Sequence, residues 1–305
     1  MEEVYHIPAL LPECLDALDI RPGGTYVDVT YGGGGHSRAI MERLSAEEGG
    51  HLYSFDQDRD AIERAASDPR FTLILSNFRY IVNFLRYYDV EGVDGVLADL
   101  GVSFHHFDDA ERGFSFRAAE APLDMRMNRA GGRTAAMLLN TLDAEALGSM
   151  FRLYGEFAKA GRLADAIVKA REGGRKFERV ADFLEVCAPF IDPRKEKKEM
   201  AQLFQALRIE VNDEMGALRE MLHGALKVLR PGGRLAVITY HSLEDRLVKN
   251  FFKTGNFEGR VEKDFFGRVE APLKPLGSKP IVPGDDEIER NPRSRSAKLR
   301  VAVKL

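Results

Sequence analysis

The stretch that decides the fold is TYVDVTYGGGGHS, residues 25–37, in which an apolar run leads directly into four successive glycines. Residues 25–30 are rich in β-branched and aromatic side chains and predict a strand, and a helical pattern begins after Ser37. Glycines between a strand and a helix let the backbone turn tightly and approach a ligand closely. The stretch therefore predicts the first βα unit of an α/β sheet, with a ligand at its turn.

The glycine run matches the dinucleotide fingerprint Gly-x-Gly-x-x-Gly imperfectly. Counted from Gly32 the last position is Ser37, and counted from Gly33 it is Arg38. A flexible turn without a ligand is the alternative, although ordering four glycines carries a large entropic cost. By itself the run leaves the kind of ligand open.

Further apolar runs alternate with amphipathic stretches along the chain, a pattern typical of parallel strands joined by helices. These runs are residues 51–56, 71–77, 95–100, 234–240 and 297–305. The fifth strand follows a helical run from about residue 200 that ends in Arg-Pro-Gly-Gly at 230–233, a strong stop signal. Residues 272–292 are rich in Pro, Gly and charge, which predicts a long surface loop.

Roughly 100 residues between the fourth and fifth strands lack a strand pattern and contain helical ones, such as residues 144–153 and 162–171. We therefore predict an α/β, doubly wound Rossmann-like sheet interrupted by an inserted all-α domain. The predicted bounds are residues 1–107 and 206–305 for the discontinuous sheet domain and 108–205 for the insertion.

The composition of the 305 residues narrows the class of protein. Apolar residues make up 44% and charged residues 30%, so the chain is expected to be globular and not disordered. No run approaches the roughly 20 apolar residues of a membrane helix, and the first residues lack a secretory pattern. Cys14 and Cys187 are too few for a disulfide framework, which indicates a reducing, cytoplasmic location.

The net charge of −4 neither supports nor excludes a nucleic-acid partner, so such binding would need local basic patches. Residues 110–205 carry 17 Lys and Arg against 14 Asp and Glu, and residues 290–305 carry six basic and no acidic side chains. Both asymmetries favour an anionic partner, with an ordinary solvated face as the alternative.

Polar residues follow the predicted strands at the sheet edge where ligands of open α/β sheets bind. Asp56 ends the second strand, 22 residues after Gly34, and can accept hydrogen bonds from ribose hydroxyls; capping of the helix near Asp58 is its alternative role. Phe78 follows the third strand and offers a stacking face for an adenine, or else belongs to the core. Asp99 ends the fourth strand, a functional position.

The fifth strand ends in Tyr-His-Ser-Leu-Glu-Asp, residues 240–245. A structural role is expected for Ser242 in preference to a nucleophilic one, because Ser242 with Asp245 three residues later resembles a helix capping box. His241 is a candidate substrate contact. The sequence offers no convincing metal-ligand spacing, since His105 and His106 are adjacent and lack further partners nearby.

Longer strings of the chain resemble the class I S-adenosylmethionine-dependent methyltransferases, and specifically the ribosomal RNA small subunit methyltransferase H family, over nearly the whole length. The strings that carry the resemblance are residues 6–8 (HIP), 10–11 (LL), 32–37 (GGGGHS), 99–103 (DLGVS), 108–116 (DDAERGFSF), 122–127 (PLDMRM), 154–156 (YGE), 241–246 (HSLEDR) and 291–296 (NPRSRS). Such ordered strings are far more specific than a glycine loop.

The resemblance implies N4-methylation of a cytidine in the decoding region of small-subunit (16S) ribosomal RNA, with S-adenosylmethionine as cofactor. The RNA is expected within the assembled 30S subunit, and the chain as a monomer or a homodimer. The implied cofactor contacts are Gly34, Gly35, His36, Asp56, Phe78, Asp99 and His106. The chain departs from the family pattern at Phe104, where a second Ser is usual, and at His106, where Gln is usual.

A cytosine amine is a weak nucleophile, so alignment and a hydrogen-bond acceptor on its N–H should dominate catalysis. Asp99 is the candidate acceptor, with Ser103 in reserve. The insertion and the basic C-terminal stretch are expected to recognise the RNA. The candidate phosphate contacts, each with an intramolecular ion pair as alternative, are Arg112, Arg126, Arg293 and Arg295.

The sequence leaves three other functions open. A nicotinamide-dependent dehydrogenase would use the same first βαβ unit and Asp56, but it leaves the strings at 99–103 and 241–246 without a role. A small-molecule methyltransferase would share the cofactor site and use the insertion as a lid. A non-catalytic ribosome assembly factor would bind the cofactor without labelling RNA.

Overall fold

The computed structural model describes residues 8–59, 67–101, 110–261 and 271–305. The chain divides into two compact units, with breaks at residues 101/102 and 214/215; the segments on either side of residues 102–214 together form the first unit. A helix spans Glu196–Asn212, so a boundary at 205/206 would cut through it. We therefore propose that the insertion extends to residue 214. No helix in these described ranges is long and apolar enough to cross a membrane.

The first unit contains a seven-stranded sheet with the strand order β3-β2-β1-β4-β5-β7-β6. The strands are β1 (Thr25–Asp28), β2 (His51–Asp56), β3 (Phe71–Leu75), β4 (Val93–Asp99), β5 (Leu229–Thr239), β6 (Leu273–Pro275) and β7 (Lys298–Lys304). The strands from β3 through β5 pair in parallel, and β7 pairs antiparallel with both β5 and β6. The strand order reverses between β1 and β4, which makes their carboxyl ends the expected ligand crevice.

Helices cover both faces of this sheet. On one face, α1 (Leu11–Leu18) and α2 (Gly35–Met41) share a buried cluster with Leu52, Leu97 and Ile238 of the strands. On the other face, Phe55 of β2 contacts Phe84 of α3 (Ile81–Tyr87) edge to face. The doubly wound α/β sheet predicted from the sequence is thus confirmed.

Two more helices pack close to this second face. A Cβ atom at Gly224 of α9 (Glu214–Val228) would lie 2.5 Å from Cγ2 of Ile81, so α9 and α3 approach closely. His223 of α9 contacts the ring of Phe251 in α10 (Ser242–Thr254). The first unit also contains the short helix α11 (Asp285–Arg290).

The sheet differs from the sequence-based prediction at three places. β1 ends at Asp28 and not at Thr30, because Val29 and Tyr31 donate to different neighbouring strands. β5 begins at Leu229, and its register against β4 shifts across the exposed residues 230–232 of the same strand. The predicted loop at 272–292 is wrong in part, since it contains β6 and α11; the edge position of β6 tolerates Pro275, which cannot donate to a ladder.

The second unit is helical in its described part, as predicted. Its helices are α4 (Ala135–Thr141), α5 (Ala144–Leu153), α6 (Ala160–Glu172), α7 (Val180–Cys187) and α8 (Glu196–Asn212). Phe151, Phe183 and Phe204 from three of these helices meet in one buried core. Thr134 and Asp143 cap α4 and α5 by accepting backbone N–H bonds.

Gly224→Ala should lower the stability of the protein, because the new methyl group collides with Ile81 in a packed interface. We expect a loss of about 1–3 kcal/mol in the free energy of unfolding, typical of overpacking. Urea denaturation followed by circular dichroism measures it. The matched control is Gly148→Ala in α5, where the nearest atoms would lie at 3.6–3.7 Å; there the gain in helix propensity, up to about 1 kcal/mol, should dominate. Equal stability of the two variants would contradict this packing.

Candidate active site

Hydrogen bonds of the buried Asp28 organise the strand ends around the crevice. Its Oδ2 accepts a bond from Ser37 Oγ at 2.6 Å, and Ser37 Oγ lies 2.8 Å from Ser54 Oγ in β2. Its Oδ1 accepts bonds from the backbone N–H of Thr30 at 3.0 Å and from Thr30 Oγ1 at 3.3 Å. Thr30 Oγ1 in turn accepts the backbone N–H of Asp99 at 2.6 Å. One carboxylate therefore connects β1 with α2, β2 and β4.

The glycine loop folds into a tight bend directly after β1. Gly34 N–H donates to the carbonyl of Tyr31 at 2.7 Å, and Gly34 has φ of 73°, a left-handed conformation that favours glycine. A Cβ atom at Gly34 would lie 2.8 Å from the hydroxyl of Tyr31. Gly35, the first residue of α2, is half-buried against Pro8. The bend thus requires glycine at position 34 and leaves backbone close to the crevice.

Asp56 lies at the end of β2 and faces the same bend. Its Oδ2 accepts the N–H of Gly32 at 2.8 Å, and its Oδ1 accepts the N–H of Asp58 at 2.8 Å. The carboxylate therefore both fixes the bend and caps the backbone after β2, the alternative role that the sequence left open. A carboxylate offers about four acceptor positions, so these two bonds alone do not fill it.

Asp99 lies at the end of β4 with 14% of its side chain exposed. Burial raises its pKa to about 6, against the opposing effects of a nearby His36 and a hydrogen bond from Tyr240. The hydroxyl of Tyr240 donates to Asp99 Oδ1 at 2.8 Å. A carboxylate with this pKa is ionised near neutral pH and can still accept a proton, as a general base must.

His36 in α2 is buried and contacts the chain through both ring nitrogens. Its Nε2 lies 3.0 Å from the carbonyl oxygen of Ala9, and its Nδ1 lies 3.7 Å from Asp99 Oδ2. The cofactor contact predicted for His36 would therefore have to come from its backbone.

Sequence reasoning missed Tyr240, Thr30 and Asp28, although each is essential to this geometry. Burial and the nearby Asp99 raise the pKa of the Tyr240 phenol far above its usual range, so it is a donor throughout the physiological range. The sequence signal for Tyr240 was its position directly after β5, the strand that pairs with β4. Cys14 of α1 is buried nearby, and its thiol pKa is raised by burial and by Asp99.

The other residues predicted for the site are Phe78, His106 and His241. Phe78 begins a single helical turn after β3 and is half-buried, so it is not a fully buried core residue. His106 lies outside the described residues. The predicted capping box at Ser242 and Asp245 is wrong by one residue: His241 is the N-cap of α10, and the Glu244 side chain accepts from the backbone of His241. His241 is thus a capping residue.

Two of the four candidate phosphate contacts form intramolecular bonds instead. Arg112 is only 3% exposed, and its Nη2 donates to the carbonyls of Arg126 and Met127 at 2.9 Å. Arg126 forms a bidentate ion pair with Asp124, in which Nε and Nη2 each donate to one carboxylate oxygen at 2.8 Å. Arg293 and Arg295 are exposed. The intramolecular alternative therefore applies to the first two residues.

Comparison with known proteins gives full-length matches. The model of the MraW methylase family matches residues 3–305. Ribosomal RNA small subunit methyltransferase H of Parabacteroides distasonis is 63% identical over 305 residues, covering 100% of this chain and 99% of that protein. The protein of the same name from Porphyromonas gingivalis is 55% identical, with coverage of 100% and 98%.

Solved structures give more distant matches. An rRNA methylase from Streptococcus thermophilus aligns with a TM-score of 0.42 and 13% identity, covering 98% of this chain and 99% of that one. A methyltransferase from Streptococcus mutans in complex with SAH aligns with a TM-score of 0.42 and 12% identity, with coverage of 98% and 100%.

The family resemblance inferred from the ordered strings is confirmed by the matches to the family model and to the curated relatives, which run through the sheet and the helical insertion alike. The chain belongs to the MraW methylase family.

Proposed function

We propose that this protein methylates the exocyclic N4 amine of a cytidine in the decoding region of small-subunit (16S) ribosomal RNA. Its cofactor is S-adenosylmethionine, and the reaction class is methyl transfer to ribosomal RNA. The observation that carries the proposal is the convergence of the glycine bend, Asp56 and Asp99 at the strand-order reversal of one sheet. The relatives' printed names support the small-subunit RNA as substrate.

The residues of this crevice fit the cofactor. Gly34 has a left-handed backbone, and a Cβ atom there would collide with Tyr31, so only glycine allows the tight bend that we propose to lie against the cofactor. The Asp56 carboxylate provides acceptors suited to ribose hydroxyls. The cofactor contacts we propose are Gly34, Gly35, His36, Asp56, Phe78, Asp99 and His106.

The cofactor supplies a methyl group already activated by positively charged sulfur, so the chain mainly has to align the amine and exclude water. The Asp99 carboxylate is the proposed catalytic group: it accepts the hydrogen bond of the attacking amine and then its proton. The hydroxyl of Tyr240 holds Oδ1 of Asp99, which leaves Oδ2 for this contact.

We further propose that the RNA is recognised within the assembled 30S subunit, which places the protein in the cytoplasm. Among the four candidates we propose Arg293 and Arg295 as the phosphate contacts, because both lie exposed at the surface. The basic insertion is the proposed recognition domain for an unstacked cytidine.

Asp56→Ala should weaken S-adenosylmethionine binding by more than about 1 kcal/mol, because a charged acceptor for the ribose is lost. Isothermal titration calorimetry measures the affinity. Asp94→Ala is the matched control: Asp94 also accepts a backbone N–H, from Thr25 at 2.8 Å, but near the start of β4, at the opposite edge of the sheet. Unchanged affinity of the Asp56 variant would refute the ribose contact.

Asp99→Asn should abolish most methyl transfer and yet stabilise the fold at pH 8. The pKa of Asp99 is raised from 3.8 to about 6, so ionisation of the folded protein above pH 6 costs stability, and Asn removes that cost. We expect a rate loss of about 10²-fold or more in single turnover and a stability gain of about 1–3 kcal/mol at pH 8. The gain should shrink as the pH falls from 6 to 4. Full activity would remove Asp99 from the mechanism.

The substrate is tested with tritiated S-adenosylmethionine and small subunits that lack the methyl group. We expect label on the N4 of one cytidine of the small-subunit RNA in assembled subunits. Free RNA and small-molecule extracts serve as parallel substrates. Label found only in the small-molecule extract would indicate a small-molecule methyltransferase, and cofactor binding without any label would indicate a non-catalytic assembly factor.

A further inference from the structure

The contacts of His36 determine which ring nitrogen carries its proton. The partner of Nε2 is the carbonyl oxygen of Ala9 at 3.0 Å, and a carbonyl can only accept a hydrogen bond. Nε2 must therefore donate. In the neutral imidazole the lone pair then lies on Nδ1, the nitrogen that faces Asp99 Oδ2 at 3.7 Å.

This arrangement brings a proton acceptor to the oxygen of Asp99 that Tyr240 leaves open. Asp99 Oδ1 accepts the hydroxyl of Tyr240, while Oδ2 faces His36. The distance of 3.7 Å exceeds a hydrogen bond, and catalytic bonds of this kind commonly shorten when substrate binds. A lone pair of Nδ1 and a lone pair of Oδ2 face each other across this distance, and a single proton between the two atoms would give them a hydrogen bond.

We propose that His36 takes from Asp99 the proton that Asp99 accepts from the cytidine amine; this inference rests on the proposed function. The N–H bond of the amine breaks and an O–H bond forms on Asp99. That O–H bond then breaks as an N–H bond forms at Nδ1 of His36. The result is an imidazolium beside a carboxylate, an attractive pair in a buried site. The His36 ring touches no substrate in this scheme and acts through Asp99 as a positioning residue.

Of the groups in the described part of the chain that face Asp99 from the surrounding elements, only His36 is suited to take a proton from it. The carboxylates of Asp28 in β1 and Glu244 in α10 are both buried, and both raise the pKa of Asp99. The thiol of Cys14 in α1 and the phenol of Tyr240 both have raised pKa values and stay protonated. Of these neighbours, His36 is the one whose cation lowers the pKa of Asp99 by charge.

The tautomer is tested directly by long-range proton–nitrogen NMR on ¹⁵N-histidine-labelled protein at pH 8. We expect a protonated Nε2 and an unprotonated Nδ1 for His36. A protonated Nδ1 at that pH would overturn the inference, because the nitrogen facing Asp99 could then accept nothing. This measurement needs neither cofactor nor RNA.

The kinetic test is His36→Gln, whose amide can still donate to Ala9 but presents no titrating group to Asp99. We expect a single-turnover rate about tenfold lower at pH 7.5, with cofactor affinity changed less than about threefold. In the unmodified protein both groups must be deprotonated, so the slope of log rate against pH should approach two at low pH; in the variant it should approach one. His36→Asn should give the same slope and serves if the first variant fails to fold.

His51→Gln is the matched control, since His51 bonds Thr72 Oγ1 near the start of β2, away from the crevice. It should change neither rate nor slope. Equal slopes for His36→Gln and the unmodified protein would overturn this inference and leave the proposed function unaffected. A complete lack of methyl transfer by the unmodified protein would overturn the proposed function, and the inference with it.

Discussion

The geometry of the site depends on one buried carboxylate. Asp28 accepts bonds from Ser37 and Thr30, and through them it connects the first strand with the helix after the glycine bend and with the backbone of Asp99. A carboxylate without these donors would be very costly in a position with no solvent exposure. The same bonds that satisfy Asp28 therefore fix the relative positions of the bend and the end of β4, before any ligand arrives.

The role that we propose for Asp99 conflicts with the stability of the fold. Burial disfavours the charged form of Asp99, which suits the base that we propose it to be, and that same burial makes the folded protein less stable whenever Asp99 is ionised. Tyr240 reduces this cost by donating a hydrogen bond. Preorganised contacts of this kind are typical of sites that stabilise developing charge and need little rearrangement during reaction.

The positions of most strands along the chain, the helical insertion and the polar strand ends at Asp56 and Asp99 could be predicted from the sequence, because apolar periodicity marks strands and polar residues mark where they end. The position of Tyr240 after a strand was visible in the sequence, but its bond to Asp99 was not, because the two residues are 141 positions apart and only strand pairing brings them together. Arg112 was named as a candidate phosphate contact, with an ion pair as the alternative, because charge counts do not show that its guanidinium binds carbonyls inside the second unit. The edge strand at Leu273–Pro275 was hidden by its Pro-rich composition.

The discontinuous layout of the first unit has a consequence for synthesis on the ribosome. The edge of β4 pairs with β5, yet residues 102–214 are translated between these two strands. A growing chain that has completed β4 therefore exposes an unpaired parallel edge, a template for wrong pairing, while the intervening helices emerge. Early folding of those helices into their own core would shorten the search that brings β5 back to its partner.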